Sequence, residues 1–133
     1  MEDRIVVIDT NIIIDFVKGG KENKLEFYLY HQQKKQITLC ISVITVFEYF
    51  SGISFVDHQL YKDSELLFSQ FKIQEVNEQI AKIAARLNFE KKLYQYIDLA
   101  DILIASTCLY LNATLLTKNK KHFKLIPGIK FIE

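Results

Sequence analysis

Residues 4–16 read RIVVIDTNIIIDF. Arg4 to Ile8 form a short, β-branched apolar run, the pattern of a strand buried on both faces. Asp9 follows directly, and Ile12, Ile13, Phe16 and Val17 then recur at helical spacing until Gly19-Gly20. A buried strand running straight into a helix opens a strand–helix–strand unit, in which parallel strands are joined by right-handed crossovers. The carboxylate at the junction is the anomaly. An unpartnered buried carboxylate is costly, so Asp9 requires a helix end to cap, a cation, or a water-filled cleft.

Working outward, the alternation continues. Residues 22–34 read as a second helix and QITLCIS at 36–42 as a second buried strand. SVITVFEYFSG reads as a helix from a Ser42 cap to Gly52, and HQLYKDSELLFSQF at 58–71 as another. KIQEV at 72–76 is a weak short strand, and Asn77 caps a long helix with Ile80, Ile83, Ala84 and Leu87 on one face. IDLADILIASTCLYLN at 97–112 is the most apolar helix, ATLLT at 113–117 a strand, and NKKHF a turn or single helical turn. IKFIE at 129–133 reads as a closing strand. The expected fold is α/β, with a parallel sheet covered on both faces, in a single domain over residues 1–133.

The totals narrow the classes. Half of the 133 residues are hydrophobic and a quarter are charged, which fits a folded globular chain rather than a disordered one. The net charge of +1 provides no global field toward nucleic acid or membrane. Cys40 and Cys108 sit in apolar runs without metal-ligand spacing, as core thiols do in a reducing compartment. MEDRIVVIDT does not read as a signal peptide, and no apolar run reaches the roughly 20 residues of a membrane span. A cytoplasmic location with no membrane partner is expected.

In open parallel sheets the ligand crevice lies outside the carboxyl ends of the strands. Asp9 follows strand one, Ser42 ends strand two, and Thr117 ends the strand at 113–117, with Asn119 two residues on. If those strands are neighbours, these residues meet on one rim, within reach of Glu48 and Asp101 on flanking helices. Three carboxylates and an asparagine in one crevice call for a hard, oxygen-seeking Mg²⁺ or Mn²⁺, and no cysteine–histidine set for zinc exists.

Each residue also has a plainer reading. Asp9 caps a helix well. Glu48 reads equally as a solvated helix residue and Asn119 as a turn residue. Asp98 shares a helix face with Asp101, and of the two it is the better candidate for a cap. Asp15, His31, His58 and His122 read as surface residues. Lys118, Lys120, Lys121 and Lys124 form either a solvated face or a place to hold a phosphate backbone.

Taken in order, VVIDTNIIIDF, ISVITVFEYFSG, DILIAS and LLTKNKKHF resemble a PIN domain, most closely the VapC-type toxin ribonucleases of toxin–antitoxin pairs. The resemblance covers essentially the whole chain. It implies a three-layer α/β/α sandwich with a central parallel sheet, and a Mg²⁺- or Mn²⁺-dependent endoribonuclease. It maps the family's acids onto Asp9, Glu48 and Asp101 and a fourth position onto Asn119, with Asp9 and Asp101 as metal ligands. Thr10 and Asn11 match the small polar residues after the first acid; with Ser42, Thr117 and Asp98 they are candidates for holding the acids in place. Lys118, Lys120 and Lys121 are the candidate RNA contacts. The resemblance further implies an RNA substrate, a homodimer and a cognate antitoxin, for which ISFVDHQLYKDSELLFSQF at 53–71 is a candidate interface as well as a core stripe. Family members often carry a glycine ahead of the third acid; KKLYQYIDLAD at 91–101 has none.

Three other classes compete. A receiver domain needs a phosphoacceptor aspartate at a central strand end and paired acids after strand one, where only Asp9 stands. A haloacid-dehalogenase-like phosphatase needs an aspartate at the position of Asn11. A non-catalytic PIN-like binding module keeps the carboxylates without holding metal.

Overall fold

The structure, a computed structural model, describes residues 4–19, 24–53 and 55–132. Among them, four strands form one parallel sheet: β1 (Arg4–Ile8), β2 (Ile37–Ser42), β3 (Lys72–Gln74) and β4 (Thr114–Leu116), in the order β3-β2-β1-β4. Helices α1 (Thr10–Val17), α2 (Leu25–Gln33), α3 (Val43–Ser51), α4 (His58–Phe68), α5 (Glu78–Lys91), α6 (Leu99–Tyr110) and α7 (Lys120–Phe123) connect and cover it. Gly20, residues 22–23 of the expected second helix, Ser54 of the candidate interface stretch and Glu133 lie outside the described residues.

Side-chain alternation along each strand divides the core into two layers. Val6, Ile8, Leu39, Ile41 and Leu116 face α1 to α4, where Ile13, Leu25, Tyr49 and Phe68 pack. Val7, Cys40 and Leu115 face the other way, against Ala84, Leu87, Ile102, Ile104, Ala105, Cys108 and Phe123 of α5, α6 and α7. The result is a three-layer α/β/α sandwich, and each thiol is buried as a core residue. Burial pushes the Cys40 thiol up to about 11 and that of Cys108 to about 12. No described helix is long and apolar enough to cross a membrane.

The strand order decides where a crevice forms. From β1 the chain crosses to β2 and β3 on one side, and β4 returns to the other side of β1. The carboxyl end of β1, next to β4, is thus the point where the connections diverge and a ligand crevice opens.

Besides helix ends a few residues shorter than expected in α4 and α6, the elements depart from the sequence expectation in three ways. β3 and β4 have three residues each, shorter than 72–76 and 113–117. The closing strand is reduced to a single parallel bridge between Leu115 and Phe131. Alternate residues of a strand point their backbone groups to opposite sides. Of the three residues in β4, Leu115 turns its N–H and C=O outward, to Lys130 O (2.8 Å) and from Ile132 N (3.0 Å). The third difference is the stretch without glycine. Its sharp turn is made by Lys92 in the left-handed region (φ 50°, ψ 45°). Asn88 secures that turn twice, its carbonyl accepting from Lys92 N (2.8 Å) and its side-chain Oδ1 from Tyr94 N (2.9 Å).

A β-carbon makes the left-handed conformation costly. Replacing Lys92 with glycine is expected to stabilise the fold by about 0.5–1 kcal/mol, and Lys92→Val to destabilise it by more. Urea unfolding of the two variants measures both; a loss of stability in Lys92→Gly contradicts this account of the turn.

Candidate active site

Asp9 stands at the junction of β1 and α1 and is only 4% exposed. Its backbone N–H donates to Leu116 O across the β1–β4 pair (3.0 Å), which fixes it to the sheet. Both carboxylate oxygens accept hydrogen bonds: Oδ1 from Thr10 N (2.8 Å) and Oδ2 from the buried Thr117 hydroxyl (2.7 Å). The Thr10 bond makes Asp9 the N-cap of α1, so capping and presentation at the crevice are met by one residue. The two bonds favour the charged carboxylate. Burial outweighs them, and with a smaller push from Glu48 it holds the Asp9 pKa above the ordinary carboxylate range.

Glu48 arrives from α3. Thr10 Oγ1 donates to its Oε1 (2.7 Å) and lies 3.0 Å from Thr45 Oγ1. A hydroxyl has one proton, so with Thr10 donating to Glu48, Thr45 is the donor to Thr10. Thr45 is fully buried, one helical turn before Glu48 on the same face of α3. Ser42 caps this helix, its Oγ accepting from Ile44 N (3.0 Å). It sets the direction in which α3 leaves β2, without a hydrogen bond to any of the acids among the described residues.

Asp101 lies in the first turn of α6. Its carboxyl is raised to about 6, by burial first, then by the negative charges of Asp9, Glu48 and Asp98, with His122 acting in the opposite direction. Asp9, Glu48 and Asp98 therefore all lie within electrostatic reach of Asp101, and Glu48 within reach of Asp9. Asp98 occupies the N-cap position of α6, yet its side chain makes no capping bond. The capping expectation for Asp98 is thus corrected: its carboxylate stays exposed and adds to the charge around Asp101.

Asn119 sits at the N-cap position of α7. Its backbone N–H donates to Thr117 Oγ1 (2.9 Å), and its side-chain Nδ2 lies 2.8 Å from His122 Nδ1. Among the candidate RNA contacts, Lys118 is ion-paired with Asp15 of α1. That solvent-accessible pair ties α1 to the loop after β4 and gives Asp15 a partner. The Lys120 ammonium lies 5.9 Å from the centre of the Phe131 ring, and Lys121 is exposed. Asn11 is exposed on α1, and its side chain makes no hydrogen bond to another described residue.

The profile of the PIN domain matches residues 6–128. The chain belongs to the PIN domain family. Ribonuclease VapC1 of Methanocaldococcus jannaschii is 32% identical to it over 138 residues, which span 99% of this chain and 90% of that protein. Ribonuclease VapC19 of Mycobacterium tuberculosis is 30% identical, over 93% of this chain and 96% of that one. Of the solved PIN structures, VapBC2 from Rickettsia felis bound to a DNA fragment from their promoter superposes with a TM-score of 0.79 at 28% identity, covering 96% of this chain and 97% of that one. DNA-bound VapBC from Salmonella typhimurium gives a TM-score of 0.81 at 23% identity, with 97% of both chains covered, and bears on the fold alone.

In this PIN domain, the oxygen donors gathered at the crevice are Asp9, Glu48 and Asp101, with Asn119 at the rim. Among the described residues no three His, Cys, Asp or Glu side chains are close enough to enclose an ion by themselves. Asp9 and Glu48 are already tied by hydroxyl and amide donors, each with lone pairs to spare. Such a set fits a hard divalent ion that keeps several of its waters rather than one caged by protein. Two residues of this arrangement escape a reading of the sequence. Thr45 was detectable from its i−3 spacing to Glu48, whereas His122 carried no signal inside a lysine run.

Raised carboxyl pKa values carry a definite sign. The cost of ionising Asp101 is absent below the unfolded value of 3.8, grows as pH rises, and is complete above about 6. Asp101→Asn removes that cost. In EDTA it is expected to raise Tm by a few degrees near pH 7.5, roughly 1 kcal/mol once discounted for partial exposure, and to change little near pH 4. Thermal melts at the two pH values test this; a lower Tm at the higher pH contradicts it.

Proposed function

We propose that this chain, as one PIN-like domain spanning residues 1–133, is a Mg²⁺- or Mn²⁺-dependent endoribonuclease and the toxin of a toxin–antitoxin pair. The observation that carries the reading is the gathering of Asp9, Glu48 and Asp101 at the β1–β4 switch point, in a chain 32% identical to a VapC ribonuclease. Asp9 and Asp101 would hold the ion, with Glu48 and Asn119 beside it. A bound divalent ion supplies positive charge at the phosphoryl oxygens and lowers the pKa of water.

The chain's own residues do the remaining work. Thr117 and the α1 N-terminus hold the Asp9 carboxylate at a fixed place and angle. Thr10, backed by Thr45, orients Glu48 through Oε1, leaving its other oxygen to take a proton from an attacking water. Asp101 is the second candidate for that proton. In-line attack on the phosphodiester would leave a 5′-phosphate and a 3′-hydroxyl. Lys121, with Lys118 and Lys120, forms the basic edge on which an RNA backbone would rest.

The partner reading is an antitoxin, supported by structural neighbours that are VapBC complexes, together with a second copy of this chain. The 53–71 stretch divides between two roles. Leu67, Phe68 and Phe71 are buried in the core, whereas Phe55, Val56 and Leu66 are exposed, Phe55 lining a surface pocket with Phe47 of α3. The exposed apolar residues of this stretch form the surface proposed for a protein partner. A cytoplasmic location agrees with an RNA substrate.

Cleavage of an RNA pool is expected with Mg²⁺ or Mn²⁺, to stop in EDTA, and to fall by at least about 10²-fold in Asp9→Asn. Activity that survives both treatments would sink the mechanism. A correctly folded chain that binds Mn²⁺ weakly or not at all and cuts no RNA would favour the binding-module reading.

A further inference from the structure

The hydrogen bonds around Asn119 point to a role for a residue outside the acidic set. Asparagine at an N-cap position ordinarily turns its side-chain oxygen onto the helix's free N–H groups. Asn119 does not: its side chain makes no capping bond to α7. Its amide nitrogen is directed to His122 Nδ1 instead, at 2.8 Å. An amide –NH₂ only donates, so the imidazole nitrogen accepts and the ring proton resides on Nε2. The backbone N–H of Asn119 is held in turn by Thr117, whose hydroxyl donates to Asp9. Main chain and amide nitrogen are thus both anchored, and Asn119 Oδ1 makes no hydrogen bond among the described residues. The His122 ring lies within electrostatic reach of the Asp101 carboxyl, which places it on the crevice side of α7.

We propose that His122 is a positioning residue for Asn119. By accepting the amide N–H it leaves Oδ1 as a neutral oxygen donor of fixed orientation, available to the cation that Asp9 and Asp101 would hold. The inference rests on the metal-dependent ribonuclease reading above. Without His122 nothing prevents the amide from turning over and presenting –NH₂, which a cation repels. Asparagine in place of a fourth acid is workable on these terms, because its one useful oxygen no longer depends on chance orientation.

The test is Mn²⁺ binding to the purified full chain by calorimetry, with RNA cleavage measured in parallel. His122→Leu keeps bulk and removes the acceptor; it is expected to weaken Mn²⁺ binding by about 10-fold. His122→Gln restores an acceptor for the same N–H and is expected to bind within about 3-fold of wild type. Asn119→Ala should lose as much as His122→Leu, and the double variant Asn119→Ala/His122→Leu no more than Asn119→Ala alone, because His122 acts through Asn119. Unchanged Mn²⁺ binding in His122→Leu, no recovery in His122→Gln, or losses that multiply in the double variant each overturn the inference while leaving the ribonuclease reading intact. A wild-type chain that neither binds Mn²⁺ nor cleaves RNA overturns that reading and this inference with it.

Discussion

The arrangement depends on one buried carboxylate. Asp9 is held at the end of β1 by the Thr117 hydroxyl and by the first N–H of α1, while its own N–H is fixed to β4. Two hydrogen bonds and a helix end do not repay the loss of water around a group this deeply buried, and its pKa remains raised. The residual cost is a source of affinity for a cation. It exists only because the β1–β4 pairing brings residues 9 and 117 together, more than a hundred positions apart in the chain. The fold's central parallel pair and the chemistry of its crevice are one constraint.

Electrostatics at the crevice are graded rather than uniform. Asp9 is buried and doubly bonded, Glu48 is oriented by a threonine pair, Asp101 is half-buried with its carboxyl near 6, and Asp98 is exposed. Groups of one chemical type thus differ in burial and in how firmly they are held. A crevice of this kind separates rigid holding of charge from proton transfer without recruiting a different residue type.

Much of this was legible in the sequence, for stated physical reasons. RIVVI, ITLCI and TLL have the apolar continuity of strands buried on both faces, and an acid or hydroxyl directly after such a strand has few places to go. Asp9, Thr10 and Thr117 were therefore readable. What local pattern does not fix was less so. Asp98 has a capping residue's position and backbone, but whether its side chain caps is decided by rotamer and neighbours. His122 is a surface residue, as its sequence context implies, and its one contact with Asn119, three residues back, leaves no periodic signal. The left-handed turn at Lys92 was hidden because the residue that secures it, Asn88, belongs to the preceding helix.

The single bridge at Phe131 has a consequence for the sheet as a whole. A parallel sheet exposes unpaired backbone groups at both margins, and those are templates for pairing with another chain. On the β4 margin, residues 130–132 engage the outward N–H and C=O of Leu115. On the β3 margin the strand is only three residues long and begins at a lysine. One side is shielded by residues 130–132, the other by brevity and charge. Residues 130–132 therefore act less as structure than as insulation, keeping the sheet from being extended by its neighbours in a crowded solution.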